Sequence, residues 1–231
     1  MADMADMQVT LIDHMGSDLS VVNAARVSFD KQSKWVYCEE SSGLDKALSG
    51  EDKKLISYLA KHNHWSPFAH ATLSFRVKAP LFVARQLQKS TVGLAWKEVS
   101  RRYVDSEPEF YAPDSWRKKA ENVKQGSSDE AIVFSSSLRD NLKMWHAEAL
   151  DYYNELIGNG VCPEQARMIL PQSMMTEWVW TGTLYAFARM CMLRLDRHTQ
   201  KETRDIAGMF AEHIAEQFPA SWQALSDGVY D

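Results

Sequence analysis

The run Thr72-Leu73-Ser74-Phe75-Arg76-Val77-Lys78 alternates strictly between polar and apolar side chains. A strand with one buried and one solvated face has that period, and a helix does not. Pro80 follows with its φ already set for a first helical turn, so a helix is expected over Leu81 to Lys89. Gln8 to Asp13 is a second β-prone run. Asp18 is placed to cap a helix reaching about Arg26, with Leu19, Val22 and Ala25 at helical spacing. A further helix is expected over Glu51 to His62, with Leu55, Ile56, Leu59 and Ala60 on one face.

Beyond these the pattern turns helical. Ser135 to Ile157 carries Leu138, Leu142, Trp145, Ala149 and Tyr152 or Tyr153 on one stripe, and stops at Gly158-Asn159-Gly160. Pro163 opens another helix. Thr181 to Leu195 places Leu184, Phe187, Ala188, Cys191, Met192 and Leu195 on one apolar face, and a last helix runs from about Thr199 to Gln217. Strands in front and helices behind, with no regular β-α-β alternation, indicate an α+β fold with a helix-rich second half.

The chain has 231 residues, long enough to bury a sizeable core. The polar stretches 30–50 and 121–130 read as surface loops, so residues 1–231 are expected to form a single domain. Lys and Arg number 26 against 31 Asp and Glu, a net charge of −5. That balance offers no general field for a nucleic acid or an anionic membrane, so neither is an expected partner. A phosphate-bearing ligand would need a local cluster of cations. Cys38, Cys162 and Cys191 are odd in number and contain no C-x-x-C pair, which argues against a disulfide scaffold. With no apolar leader and no apolar stretch of about 18 residues, a soluble, reduced, cytoplasmic protein is expected.

The common chemical motifs are missing. The glycines form neither G-x-G-x-x-G nor a P-loop, and there is no H-E-x-x-H and no G-x-S-x-G. His62, His64 and His70 lack partner carboxylates or cysteines at ligand spacing, so no metal is expected. Cys191 falls in an apolar helical stripe and reads as a buried small hydrophobe.

One segment stands apart, from Arg85 to Tyr103: RQLQKSTVGLAWKEVSRRY. Such a charged composition can make a solvated helix. Ser90, Thr91, Val92 and Gly93 would weaken a helix, however, and Trp96, Val99 and Tyr103 suggest that the segment lies against protein. Arg and Ser donors packed in a loop are what a phosphate monoester needs. Composition alone leaves both readings open.

This segment resembles the signature R-H-R-x-x-S-x-N-E-x-S-x-R-Y of the flavin-dependent thymidylate synthases. Glu98-Val99-Ser100-Arg101-Arg102-Tyr103 keeps its second half, and Lys78 to Gln86 is similar to the family's lead-in. Lys89-Ser90-Thr91 stands in place of Arg-His-Arg, one extra residue precedes Glu98, and Lys97 replaces an Asn. Ordered matches extend along most of the chain: Ala24 to Ser28, His62 to Phe68, Ala166 to Pro171 and Leu193 to Gln200. Thr183 and Arg189 stand where the family usually has flavin-contacting Asn residues.

The resemblance implies a twisted antiparallel sheet flanked by helices, assembled as a homotetramer with sites shared between subunits. It implies methylation of dUMP at C5 with methylenetetrahydrofolate as carbon donor, FAD as redox cofactor and NADPH as reductant. It also implies roles. Gln86, Lys89, Glu98, Val99, Ser100, Arg101, Arg102, Arg167 and Arg194 would contact the nucleotide. Glu98 would sit at the pyrimidine–flavin junction, and Arg194 would polarise the uracil and stabilise charge developing on its ring. His64, Ser66, Ser90, Thr91, Thr183, Arg189 and His198 occupy flavin-contact positions. The altered segment leaves room for two other outcomes: hydroxymethylation or methylation of another pyrimidine nucleotide such as dCMP, or a nucleotide-binding homologue without flavin.

Overall fold

The structure, a computed structural model, describes residues 4–38, 45–104, 106–121, 127–133 and 136–227, with the side chains of residues 38, 45 and 136–139 outside that description. Strand β1 (Gln8–Met15) and helix α1 (Asp18–Arg26) come first. A short ribbon of β2 (Val36–Cys38) and β3 (Asp45–Ala47) leads to α2 (Gly50–Lys61) and a 3-10 turn, Ser66–His70. Then come β4 (Thr72–Pro80), α3 (Leu81–Leu87) and β5 (Leu94–Glu98). A second ribbon, β6 (Trp116–Lys119) with β7 (Ser127–Ile132), precedes the long α4 (Ser136–Gly158) and the single turn α5 (Pro163–Ala166). Last are β8 (Met175–Thr183), α6 (Leu184–Leu195), α7 (Lys201–Gln217) and α8 (Pro219–Ser226). The fold class is α+β, with one antiparallel sheet in the order β1-β4-β8-β5.

The alternation in β4 does what its period requires. Leu73, Phe75, Val77 and Ala79 are buried, while Arg76 is exposed and pairs with Glu177 on β8. The buried face meets α6 and α7 through a cluster of rings. Phe75 lies 5.0 Å from Phe187 and 4.8 Å from Phe210, edge to face, and Trp180 closes the group 5.4 Å from Phe187. Edge-to-face pairs of this kind add about 0.5–1.5 kcal/mol each beyond the area they bury. A smaller cluster of Phe110, Leu150, Tyr153, Ala166 and Met174 sits under α4 and α5.

Several elements differ from the sequence expectation. Met175 to Thr183 is the inner strand β8, and the helix starts at Leu184 rather than Thr181, because the Thr183 hydroxyl accepts from the Ala186 amide and caps it. Part of the charged segment is strand β5, residues 30–50 contribute β2 and β3, and residues 121–130 contain the start of β7. The last helix begins at Lys201, and α8 follows a break at Phe218. On α4 His146 and Leu150 are buried in place of Trp145 and Ala149, and of the two tyrosines offered Tyr153 is the buried one, with Tyr152 exposed. Asp18 caps a different helix from the one expected. Its two carboxylate oxygens accept from the Ala220 and Ser221 amides, both at 2.9 Å, at the start of α8. Among the described residues, no helix is long and apolar enough to cross a membrane.

Candidate functional site

Two glycines bring the charged segment onto the sheet. Gly93 has φ +77°, the left-handed region that glycine enters without strain, and its carbonyl accepts from the Thr183 amide at 3.2 Å. A Cβ on Gly182 would lie 2.4 Å from that same Gly93 oxygen, so only glycine lets β5 approach β8 here. Lys89, Ser90 and Thr91 sit in the turn before β5, and Glu98 to Arg102 sit at its far end. Five residues at ~3.3 Å each separate the two halves of the motif by roughly 15 Å.

Glu98 is held from both sides. Thr176 Oγ1 donates to Oε1 at 2.7 Å, and Trp96 Nε1 donates to Oε2 at 3.2 Å. Trp96 is itself stacked on Trp178 at 4.2 Å. The Val99 amide donates to the Glu177 carbonyl, which fixes where the chain leaves the sheet. In the turn that follows, Arg102 Nε donates to Ser100 Oγ at 3.2 Å. Arg102 is exposed, lies over the Tyr103 ring and approaches Glu164 at 3.7 Å. Glu164 is on α5, and Arg167 follows one turn later, also exposed. Ser100, Arg102 and Arg167 thus belong to adjoining segments. Arg101 is turned back on the protein, donating to the carbonyls of Ser106 and Glu107, and burial pulls its guanidinium below the ordinary value.

Arg194 and Gln86 meet across α6 and α3. Arg194 Nη2 donates to the Gln86 carbonyl at 2.5 Å, while its buried Nε has no partner among the described residues. Burial holds this guanidinium below its ordinary value too. A half-desolvated cation with a spare donor is favoured by any negative charge brought to it. The Gln86 side chain donates to Gln200 Oε1 at 2.7 Å. His198 lies two residues before Gln200, its ring nitrogen 3.0 Å from Asp196.

A third group surrounds a cavity of about 740 Å³ between α2, α6 and α8, lined by Lys61, His64, Tyr185 and Arg189, with Asp227 also at its wall. The Arg189 guanidinium lies over the Tyr185 ring at 5.9 Å, and Trp65, beside Ser66, approaches Tyr185 at 6.4 Å. His64 stands edge-on to Tyr58. Cys191, on the buried face of α6, is fully enclosed, and burial pushes its thiol up.

Within one chain, then, the expected residues form separate groups: Gln86 with Arg194; Glu98 to Arg102 beside Arg167; His64 with Arg189; and Lys89, Ser90 and Thr91 near Thr183. Sequence reasoning did not assign Thr176 or Gln200. Each acts through a side-chain bond to a residue 78 or 114 positions away, and only the closed fold makes those neighbours.

The family described as thymidylate synthase complementing protein matches residues 10–220. A flavin-dependent thymidylate synthase of Thermus thermophilus is 36% identical over 219 residues, spanning 95% of this chain and 75% of the relative. Another, from Thermosipho africanus, is 34% identical over 229 residues, spanning 95% and 91%. Among solved structures, a UMP/dUMP methylase from Streptomyces cacaoi bound with 5-Br dUMP superposes with a TM-score of 0.81 at 27% identity. That match covers 98% of this chain and 97% of the other.

Proposed function

The chain belongs to the flavin-dependent thymidylate synthase family, and from that premise we propose that it converts dUMP to dTMP with methylenetetrahydrofolate, FAD and NADPH. The observation that carries the reading is the Arg194–Gln86 pair: a guanidinium short of water, pinned by one arm, with a buried donor that has no partner among the described residues. Against the uracil edge it would favour the ring form that bears negative charge, which makes C5 the better nucleophile. Gln86 orients the base beside it.

The remaining residues divide the other tasks. Ser100, Arg102 and Arg167 supply the hydroxyl and fork-shaped donors that suit a phosphate monoester. Glu98, fixed by Thr176 and Trp96, stands at the end of the sheet where the pyrimidine would meet the flavin. Arg101, with its guanidinium committed to backbone carbonyls, contributes main chain to the phosphate turn. Lys89 adds a cation for the nucleotide, and Ser90, Thr91 and Thr183 complete the flavin contacts. Thr183 uses its oxygen to cap α6 and keeps its hydroxyl proton to donate.

The residues around the 740 Å³ cavity fit a dinucleotide in kind and in size. Lys61 and Arg189 suit a pyrophosphate, the rings of His64 and Tyr185 suit a flat heterocycle, and Ser66 and His198 would add polar contacts. Bound there, FAD would supply the reducing equivalents, drawn from NADPH, that leave the transferred carbon as a methyl group. The exposed thiol of Cys162 and the buried one of Cys191, both free, suit a reducing cytoplasm.

The reading is tested by product analysis. The protein is incubated with methylenetetrahydrofolate, NADPH and FAD, and with dUMP, dCMP or UMP in separate arms. dTMP formed from dUMP and dependent on added or bound flavin is expected. A methylated or hydroxymethylated product from dCMP alone, or no flavin absorbance after FAD addition, would overturn it.

A further inference from the structure

The segment that joins α6 to α7, residues 196–200, is tied down at nearly every step. Asp196 Oδ1 accepts from the His198 amide at 2.8 Å and lies 3.0 Å from the Nδ1 of that ring. The Thr199 amide donates to the Asp196 carbonyl at 2.9 Å, and its hydroxyl donates to the Leu193 carbonyl in the last turn of α6 at 3.3 Å. From the α7 side, Arg204 Nη1 donates to the Arg197 carbonyl and the Arg204 amide to the Gln200 carbonyl, both at 3.0 Å. Glu202, in the first turn of α7, is buried and paired with Arg117. Gln200 thus starts from a fixed backbone, and its side chain takes part in none of these bonds.

That side chain is spent on Gln86. Gln86 Nε2 lies 2.7 Å from Gln200 Oε1 and 3.5 Å from the Phe82 carbonyl. A backbone carbonyl only accepts, so the nitrogen end of the Gln86 amide faces this side, and Gln200 must offer its oxygen. The oxygen end of Gln86 is left over, and nothing among the described residues donates to it. The main-chain carbonyl of the same residue holds Arg194.

We infer that Gln200 is a positioning residue of the nucleotide site. A free glutamine amide presents a ligand with either of two ends, one that accepts and one that donates. Gln200 and Phe82 hold the accepting end outward. Gln86 is thereby committed to a donor on the nucleotide, a ring N–H or a sugar hydroxyl, beside a guanidinium that donates. Without Gln200 the amide has to be ordered at the moment of binding, which costs affinity and leaves the chemical step alone. The inference rests on Gln86 meeting the nucleotide, as the proposed function has it.

The test is calorimetric titration of wild type, Gln200→Met, Gln86→Met and the double variant with dUMP and, separately, with FAD. Gln200 is exposed and methionine keeps its length, so the fold should stand, which melting curves check. Gln200→Met is expected to weaken dUMP binding about three- to tenfold, the scale of one neutral hydrogen bond, while FAD affinity holds. In the Gln86→Met background the same change should cost nothing further. In turnover, KM for dUMP should rise by the same factor with kcat unchanged. Unaltered dUMP affinity overturns the inference. So do equal losses in both backgrounds, an equal loss of FAD, or a lost folding transition in Gln200→Met, each of which makes Gln200 part of the loop's framework only. Should Gln86→Met fail to fold, the contrast between dUMP and FAD in Gln200→Met carries the test alone. Wild type that does not bind dUMP overturns the inference and the proposed function together. The expected pattern of binding without dTMP formation overturns the proposed function only.

Discussion

At Arg194 a cation is held half out of water, its Nε without a partner among the described residues, while Phe187 and Cys191 on the same helix are fully buried. Truncation there removes a donor without opening a core cavity. Arg194→Ala is therefore expected to lower dUMP turnover by about 10²–10³, the usual loss for one preorganised donor to a developing anion. The flavin spectrum and the melting curve should stay near wild type. Arg194→Lys should restore little, since a point charge does not reproduce the planar fork. Near-normal turnover would refute the role, and a lost folding transition would make Arg194 structural. The motif resemblance numbered Arg194 and Glu98 directly in the sequence. It left Thr176 and Gln200 unassigned, because a Thr on an apolar strand and a Gln before a helix carry no local mark of the partner that folding brings.

The β5–β8 pair shows what an element can hide. β8 reads MTEWVWTGT: Thr176, Trp178 and Trp180 are buried and Val179 and Thr181 exposed, so an apolar Val on the outer face and a polar Thr on the inner one blur the alternation that marks a strand. In β5 the pleat is present: Leu94, Trp96 and Glu98 are half-buried, and Ala95 and Lys97 exposed. Charge at Lys97 and Glu98 masks it. β4, with one clean face in and one out, was legible at once. The close approach of Gly93 and Gly182 gives this pair its own test. In Gly182→Ala the new methyl would meet a backbone oxygen that has no side-chain freedom to move aside. A loss of about 1–3 kcal/mol is expected in denaturant unfolding, together with weakened dUMP binding as Glu98 and Ser100 shift with β5. Unaltered stability would show that β5 does not sit this close to β8.

Across the whole molecule, the motif halves lie at opposite ends of β5 and the remaining groups on separate elements, an arrangement that suits sites completed by neighbouring subunits. We propose a homotetramer of 26.4 kDa chains, each a single domain, with flavin retention linked to assembly. Arg102→Ala and Arg194→Ala chains, each inactive alone, should regain activity when co-expressed, because a shared site can take each intact residue from a different chain. Light scattering checks the mass; a fully active monomer, or no recovery in the mixed assembly, would contradict shared sites. The most direct measurement of the central claim is release of tritium from dUMP labelled at C5, since methylation there must break that bond and free its hydrogen as a proton. With methylenetetrahydrofolate and NADPH present, release should require FAD, match dTMP formation mole for mole and fall sharply in Arg194→Ala. Release that proceeds without flavin, or dTMP formed while the label stays on the ring, would contradict the account.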